Sequence, residues 1–293
     1  GRERSFGPSH PLTLDSITTL ALVLNARSSR KNAETLFRQA LSESGGALGP
    51  THPTRRRCLN HFAEFYYAQG KYIEAVPLCR ENVAAHDATQ GPDDLSTLAA
   101  VAMYSDSCYR IGDLVSAEPL LRRALESRER TLGIAHPSTL VALSCLANLL
   151  IDKGHLDIAS EMCRRGLAAA VGTDPEGTCS TLSIIRSLAR LHHKRGDNAA
   201  AAEYYRQVLA GREALLGPDH LETLASLDEL GAFYSDQQDY LSAEPLLRRA
   251  LAGRKASLGA EHPDTLTTMC NLGSLLLIQG DSCPCPLHGH VDR

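Results

Sequence analysis

The chain has 293 residues, of which 43% are hydrophobic and 22% are charged, and this composition excludes disorder over the whole length. With 30 basic and 34 acidic side chains, the formal net charge of −4 does not predict binding to nucleic acid or to an anionic membrane. The longest apolar stretch near the C-terminus, Leu275–Ile278, is far shorter than the roughly 18 residues that a membrane helix needs. We therefore expect a soluble, unsecreted protein.

The nine cysteines point to a reducing compartment, which we take to be the cytoplasm. A chain of this length does not need disulfide staples, the number is odd, and seven of the cysteines are scattered without paired spacing. Cys79 and Cys163 fall in apolar positions of helical patterns, so we expect them to be small buried hydrophobic residues.

A phrase with the pattern Gly-x-x-His-Pro-x-Thr-Leu recurs along the chain. Its glycines are separated by 42, 42, 42, 84 and 42 residues, at Gly7, Gly49, Gly91, Gly133, Gly217 and Gly259. The missing position holds Pro175, but Thr181 and Leu182 return in phase. The sequence is therefore a continuous array of 42-residue repeats.

The first helical pattern of each period, here called helix A, has apolar residues spaced by three and four, for example Leu140, Leu143 and Leu146. A threonine precedes this pattern in most periods, and we predict that it is the N-cap residue. These threonines are Thr13, Thr97, Thr139, Thr181, Thr223 and Thr265. Glycines are predicted to end helix A, at Gly70, Gly112, Gly154, Gly196 and Gly280.

The second pattern, helix B, alternates small and large apolar residues. Its alanines are predicted to lie where two helices approach closely, as in Ala33, Leu36, Phe37, Ala40 and Leu41. Arginines recur at one position of helix B, and a glutamate stands four residues before several of them, which predicts exposed ion pairs such as Glu118 with Arg122.

These patterns resemble the tetratricopeptide repeat family, whose repeat is a helical hairpin with a Leu-Gly or Leu-Ala pair and an aromatic residue on helix A. The pair is present here as Leu20-Ala21, Phe62-Ala63, Leu230-Gly231 and Leu272-Gly273, and the aromatic residue as Tyr66 and Tyr234. The period is longer than the usual 34 residues, and the extra residues fall within 123–137, which lengthens helix B.

The 42-residue period and the phrase Ala-Glu-Pro-Leu-Leu-Arg-Arg-Ala-Leu are similar to the kinesin-light-chain type of this repeat. The resemblance implies an all-α fold, a right-handed α-solenoid of tetratricopeptide helical hairpins. It also implies a non-catalytic scaffold or adaptor that binds a peptide or a partner helix in the concave groove of the array.

The repeat divides the chain into three parts. Residues 1–12 match the end of a preceding helix B and its loop, residues 13–280 form six full repeats and a final helix A, and residues 281–293 are predicted to be a disordered tail. We expect the chain to be a fragment of a longer array. The irregular loop from Val171 to Ser180 is predicted to be its weakest joint.

No metal site or cofactor is predicted. The repeated histidines each lie in a different loop, so they cannot converge on one ion, and we interpret them as turn residues next to proline. They are His10, His52, His136, His220 and His262. The tail contains Cys283, Cys285, His288 and His290, but its two prolines favour a disordered end over a zinc site.

By the family resemblance, helix A lines the groove with the residues one, four, eight, eleven and twelve places after its first leucine position; we call these the groove positions. The fifth period has the most basic set: Ser183, Arg186, Arg190, His193 and Lys194. We hypothesise that Arg186 and Arg190 grip an acidic group of an extended peptide. In the alternative, the carboxylates of Asp152, Asp228 and Asp236 neutralise these cations. Further groove candidates are Asn60, Tyr67, Tyr109 and Asn148.

Arg55-Arg56-Arg57 places three positive charges at the positive end of a helix dipole, where an acidic partner is one interpretation and a tolerated surface irregularity the favoured one. The chain has no phosphate-binding loop, dinucleotide fingerprint, His-Glu-x-x-His or nucleophile elbow, so we predict no enzymatic activity. The expected partner is a protein or peptide, not nucleic acid or a membrane. A sensor or regulatory array of a nucleotide-dependent switch protein, or a subunit of an enzyme, remain as alternatives.

Overall fold

The structure is a computed structural model that describes residues 2–27, 29–171 and 179–282, and within these ranges it contains fourteen α-helices and no strand. The helices are α1 (Arg2–Phe6), α2 (Pro11–Ala26), α3 (Arg30–Ala47), α4 (Pro53–Tyr67), α5 (Tyr72–Gln90), α6 (Leu95–Arg110), α7 (Leu114–Leu132), α8 (Pro137–Asp152), α9 (Leu156–Val171), α10 (Cys179–Arg195), α11 (Asn198–Leu216), α12 (Leu221–Asp236), α13 (Tyr240–Ser257) and α14 (Pro263–Ser282). The predicted all-α class is confirmed.

The chain forms two compact units, residues 1–154 and 155–293. In unit 1 the A helices are α2, α4, α6 and α8, and in unit 2 they are α10, α12 and α14; the helices between them are of type B. In both units a helix A packs against the helix B that follows it, as α2 with α3, α4 with α5, α6 with α7, α10 with α11 and α12 with α13. Neighbouring A helices such as α12 and α14 also touch. Each unit is thus a stack of helical hairpins, as the α-solenoid prediction requires.

The predicted alanine contacts of helix B are confirmed in both units. Ala33 and Ala40 in unit 1 and Ala243 and Ala250 in unit 2 have no exposed surface. Helix B is also lengthened as predicted: α7 and α11 have 19 residues, whereas α6 and α12 have 16. Small side chains let the two helices of a hairpin approach closely, and larger residues fill the space on either side.

The other helix-B predictions are also confirmed. Cys79 and Cys163 are 2% and 0% exposed, and burial raises the pKa of the Cys79 thiol to about 11. The expected ion pair joins Arg122 Nη2 to Glu118 Oε1 at 2.7 Å on the exposed side of α7. Such an exposed pair contributes at most about 0.5 kcal/mol.

The prediction that threonines cap helix A is wrong, because the N-cap residue stands three positions earlier. His136 has extended backbone angles, and its Nδ1 accepts a hydrogen bond of 3.2 Å from the backbone N–H of Ser138. The same capping hydrogen bond is accepted in other periods by His10, His52 and His220. In the third period the cap residue is Asp94. Pro137 favours this start, because its fixed φ suits the first helical position and it has no N–H to satisfy.

The threonines have a different role. Thr139 and Thr223 are fully buried in the first turn of helix A. The Thr223 hydroxyl donates to the backbone oxygen of Gly217 at 2.8 Å, so it ties helix A to the loop after the preceding helix B. The histidines that we interpreted as turn residues are therefore the helix caps, and the threonines are interface residues.

Glycines with a positive φ follow helix A as predicted at Gly70, Gly112, Gly154 and Gly196. The predicted end at Gly280 is wrong, because α14 continues to Ser282. In the sixth period the corresponding position is Gln238, whose φ of 62° makes it the one residue other than glycine with positive φ among the described residues. The residues of the predicted tail from 283 onward, and residues 172–178 of the predicted weak joint, lie outside the described residues.

Substitution of the histidine cap tests the corrected start of helix A. We expect His136→Ala to lower the free energy of unfolding by about 1 kcal/mol, because the N–H of Ser138 loses its acceptor. His136→Asp should retain most of the stability, since Asp94 caps α6 in the same geometry. Urea unfolding of the three proteins measures both values, and equal losses for alanine and aspartate would contradict the capping role.

Replacement of Gln238, whose backbone has a left-handed conformation, tests the end of α12. We expect Gln238→Gly to raise the free energy of unfolding by about 1 kcal/mol, because glycine adopts a positive φ without a steric cost from Cβ. Gln237→Gly is the matched control, since Gln237 has φ −84° and gains nothing from glycine. Thermal unfolding should show a higher midpoint for the first variant alone.

Candidate peptide-binding surface

Side chains at or next to the groove positions join neighbouring A helices. In three hydrogen bonds the donor and acceptor side chains are 43 residues apart, which is one period plus one residue. These bonds run from Tyr109 to Asp152, from Arg186 to Glu229 and from Asn271 to Asp228. Arg186 and Tyr109 therefore already hold one hairpin to the next.

Arg186 is occupied by a neighbour within unit 2. Its Nε donates to Glu229 Oε1 at 2.9 Å and to Oε2 at 2.8 Å, and its Nη2 donates to Oε1 at 2.6 Å. Sequence analysis expected Asp228 to be among the neutralising groups, but Asp228 accepts instead from Arg254 and Asn271. Glu229 was missed because it stands five places after the leucine position, outside the groove pattern.

The surroundings of Glu229 are strongly cationic. Burial would raise the pKa of this carboxyl, yet Arg186, Arg190 and Arg212 together hold it below its ordinary value. Three guanidinium groups thus act on one carboxylate, and Arg212 also pairs with Glu222 at 2.6 Å.

The remaining basic candidates lie further along α10. His193 Nε2 is 3.6 Å from Asp236 Oδ2, and its ring packs edge-on against Phe233 with centroids 5.0 Å apart. Asp236 is thus placed to neutralise His193, as the alternative expected. Arg190 is half-buried, whereas Lys194 is exposed at the end of the helix. The accessible positive charge of this surface is therefore centred on the last turns of α10.

In unit 1 the tyrosine candidates are hydrogen-bond donors to aspartates of the next helix A. Tyr67 donates to Asp106, and Tyr109 donates to Asp152. Burial, reinforced by Asp106, raises the pKa of the Tyr67 hydroxyl well above its ordinary value. The Tyr67 hydroxyl therefore stays protonated at any ordinary pH, and both tyrosines act as structural donors between the A helices.

The two asparagine candidates differ in their surroundings. Asn60 Nδ2 donates to Glu64 Oε1 at 2.7 Å, and its Oδ1 lies 3.4 Å from Nδ2 of Asn82. Asn148 is only 8% exposed, and its Oδ1 accepts no hydrogen bond within the described parts of the chain. Asn60 is thus the asparagine that reaches an open surface.

A depression of about 390 Å³ lies on unit 1 between α4 and α6 and includes Asn60. Its wall from α6 is mostly apolar, with Ala99, Ala100 and Met103, whereas Arg56, Arg57 and the acidic Glu64 stand on the α4 side. Sequence analysis did not group these residues, because a depression between helices also uses positions next to the groove positions.

The three consecutive arginines of α4 all have partners within unit 1. Arg55 pairs with Glu81 at 2.5 Å, and Arg57 pairs with Asp15. Arg56 has neutral acceptors, since its Nη1 donates to Thr89 Oγ1 at 2.8 Å and to Gln90 Oε1 at 3.1 Å. Arg55 and Arg57 therefore join helices of unit 1, and the charge of Arg56 faces the depression.

A buried arginine of helix B forms a repeated contact that sequence analysis missed. Arg212 is 2% exposed; its Nη1 donates to the backbone oxygen of Glu222 at 3.1 Å and to Ser226 Oγ at 2.8 Å. Arg254 makes the equivalent bonds to Asp264 and Thr268 one period later. The signal in the sequence is an arginine followed 14 residues later by serine or threonine.

Comparison with protein families identifies the repeat. Models described as tetratricopeptide repeat match residues 13–54, 54–130, 178–256 and 224–282, which is more than half of the chain. The chain belongs to the tetratricopeptide repeat family. A search of the curated proteins gives no match.

Solved structures narrow the type of repeat. A crystal structure of kinesin light chain nearly identical TPR-like repeats from Podosopora anserina is 27% identical, with a TM-score of 0.61, covering 70% of this chain and 97% of that chain. BtubC (BKLC) from P. vanneervenii is 24% identical, with a TM-score of 0.51, over 73% of this chain and 84% of that chain. The apo form of RapI is 10% identical, with a TM-score of 0.64, covering 92% of this chain and 98% of that chain. At this identity the similarity shows the fold alone. The tetratricopeptide repeats are of the kinesin-light-chain type, an architecture of protein-interaction scaffolds.

No described helix is both long enough and apolar enough to cross a bilayer. Over the same residues, no three histidine, cysteine or acidic side chains are grouped as metal ligands. The cysteines and histidines from Cys283 to His290 lie outside the described residues.

Loss of the buried arginine should destabilise the hairpin stack. We expect Arg212→Ala to lower the free energy of unfolding by about 3 kcal/mol, because a buried carbonyl and hydroxyl lose their donor and a cavity remains. Arg206→Ala is the matched control from the same helix, since the Arg206 side chain is 56% exposed and should cost less than about 1 kcal/mol. Equal losses in denaturant unfolding would refute the special role of the buried position.

Proposed function

We propose that this tetratricopeptide protein is a non-catalytic adaptor that binds an acidic peptide segment of a partner protein along its A helices. The observation that carries the proposal is the basic surface of α10, where Arg186 and Arg190 are half-buried near Glu229 and Lys194 is exposed at the end of the helix. An acidic peptide group suits such a surface, because arginine can donate two parallel hydrogen bonds to a carboxylate.

The proposed roles of the four basic residues differ. Arg186 is paired with Glu229 and contributes to the positive potential of the surface from a half-buried position. Lys194 is exposed at the end of α10 and forms the first contact with the peptide, while Arg190 stands one turn before it and His193 directly precedes it. Affinity is then largely electrostatic, and it weakens as salt is added.

The depression of unit 1 is proposed as a second contact region. Arg56 has neutral acceptors there, and Ala99, Ala100 and Met103 offer an apolar wall. An acidic residue next to an apolar one fits this combination, with Asn60 positioned to bond the peptide backbone. The two regions lie in different units and are proposed independently. Substitutions in one region should leave the other unchanged.

The cell compartment is proposed from the cysteines. The described ones are all free thiols, at Cys58, Cys79, Cys108, Cys145, Cys163, Cys179 and Cys270. Free thiols with unpaired spacing are typical of a reducing compartment, so we propose a cytoplasmic adaptor.

Charge substitutions on α10 test the acidic-peptide proposal. The probe is a fluorescein-labelled 12-residue peptide rich in aspartate, and binding is measured by fluorescence anisotropy. We expect Arg190→Glu with Lys194→Glu to weaken binding at least about tenfold, because two attractive charges become repulsive. Glu229→Gln should strengthen binding several-fold, since it releases Arg186.

A lysine-rich peptide of equal length is the control and should not bind. Circular dichroism checks that both variants remain helical. Unchanged retention of the aspartate-rich peptide by the double charge reversal, or by Arg186→Glu with Arg190→Glu, would refute the acidic-peptide proposal.

A further inference from the structure

A cleft of about 500 Å³ opens on unit 1 between the B helices α3 and α5, with the A helix α4 as its floor. We call it the B-side cleft; it is lined by Leu41 of α3, by Phe62 and Tyr66 of α4, and by Pro77 and Leu78 of α5. Its volume is within the range of about 300 to 1,000 Å³ that is typical of ligand sites. It shares no lining residue with the depression between α4 and α6.

The position of the B-side cleft keeps it open in a longer array. Hairpins of a solenoid contact only their neighbours, so a further repeat packs against the first or the last hairpin. The cleft lies between two consecutive B helices of one stack, and its floor helix α4 already packs against both of them. A preceding or following repeat of the same chain therefore does not cover it.

The floor of the cleft is aromatic. The rings of Phe62 and Tyr66 stack with centroids 4.6 Å apart, and Phe62 also stacks on Phe37 of α3 at 5.2 Å. The Tyr66 hydroxyl donates to Glu34 at 2.9 Å and accepts from Arg38 at 2.8 Å. Because this polar atom is satisfied within the protein, the floor suits an apolar group, and an aromatic ring extends the existing cluster.

An acidic side chain stands at the α5 lip of the cleft. Glu74, in the first turn of α5, is exposed and forms no ion pair within the described residues. The nearby cations Arg38 and Lys71 both pair with Glu34, at 2.9 and 3.7 Å. Glu74 is therefore the acid of this lip that a ligand can reach.

The backbone of α5 adds an acceptor beside Glu74. Pro77 lies inside this helix and has no N–H, so the backbone oxygen of Ile73 lacks its usual donor four residues later. Pro77 itself lines the cleft, so this oxygen is near the same lip. A ligand with several donors suits such a lip, and in a peptide these are the side chains of lysine and arginine.

The acid at this lip is a departure from the repeat. In later periods the residue at the position of Glu74 is neutral. The equivalent residues are Ser116, Ile158, Ala200 and Ser242. An aromatic floor next to an acidic lip therefore distinguishes this cleft from the spaces between the later B helices.

We propose that the B-side cleft binds a short segment of a partner protein in which an aromatic residue is followed by lysine or arginine. The aromatic ring enters the cleft and packs on Phe62 and Tyr66, and the basic side chain pairs with Glu74. This ligand has the opposite charge to the acidic peptide proposed for α10, so the two proposals are independent.

Two fluorescein-labelled 12-residue peptides test the proposal on the full chain by fluorescence anisotropy. One has a single phenylalanine followed by three lysines among glycine and serine, and the other has alanine in place of the phenylalanine. We expect the phenylalanine peptide to bind at least about tenfold more tightly, because only its ring is buried in the cleft.

Charge variants test the lip. Glu74→Lys should weaken binding of the phenylalanine peptide at least about fivefold, because attraction becomes repulsion. Glu203→Lys is the matched control, since it makes the same change of net charge at a 77% exposed acid of unit 2. Arg190→Glu with Lys194→Glu should not weaken this binding, so failure of the acidic-peptide proposal is distinguishable from failure here.

A filled cleft and a photocrosslink test the position of the ring. Ser42→Phe adds a ring to the α3 side of the cleft and should weaken binding at least about tenfold, whereas Gln39→Phe adds it to an exposed position of α3 outside the lining and should not. Circular dichroism checks that both variants remain helical. With p-benzoylphenylalanine in place of phenylalanine, mass spectrometry should find the peptide attached to Leu41, Pro77 or Leu78.

Any of five outcomes would overturn the proposal. The first three are equal affinity of the two peptides, equal effects of Glu74→Lys and Glu203→Lys, and attachment outside the cleft. The fourth is binding only after removal of residues 283–293, which would assign the cleft to the chain's own tail. The fifth is a concentration-dependent dimer in sedimentation that Ser42→Phe dissolves, which would assign it to a second copy.

Discussion

The close approach of helix B to helix A is the constraint on which the hairpins depend. Ala243 and Ala250 have no exposed surface, and Gly231 leaves no room for a Cβ between α12 and α13. Small residues at these points bring two backbones together, so that large residues such as Leu247 fill the flanking space. Because this interface recurs every 42 residues, each hairpin presents the same face to the next.

The repeat also decides how much of the groove is available to a ligand. Side chains separated by one period plus one residue, such as Arg186 with Glu229, meet across neighbouring A helices and neutralise one another. A ligand therefore gains most from an exposed charge, such as Lys194, or from a charge with neutral acceptors, such as Arg56. Breaking an existing pair leaves a partly buried charge behind, which opposes binding.

The sequence predicted the helices, their order and their buried faces, because apolar spacing and glycine ends are local signals that repeat in phase. It misplaced the helix N-caps, since threonine is a common cap but proline after histidine sets the start three residues earlier. It also missed Glu229 and Arg212. Their partners lie on neighbouring helices, and which long side chains reach across depends on helix packing rather than on one helix's pattern.

Recognition in such an array depends on departures from the repeat. Identical hairpins would offer identical surfaces, so a partner could bind in any register. Arg55 shows how a departure is accommodated. It stands where other periods have threonine, and its Nη1 donates to Ser44 Oγ at 3.1 Å. Ser44 occupies the repeat position at which α11 and α13 carry a buried arginine. Glu74 is a departure of the same kind, but its charge faces outward. An outward departure distinguishes one hairpin face from its relatives, and it gives a partner one register in which to bind.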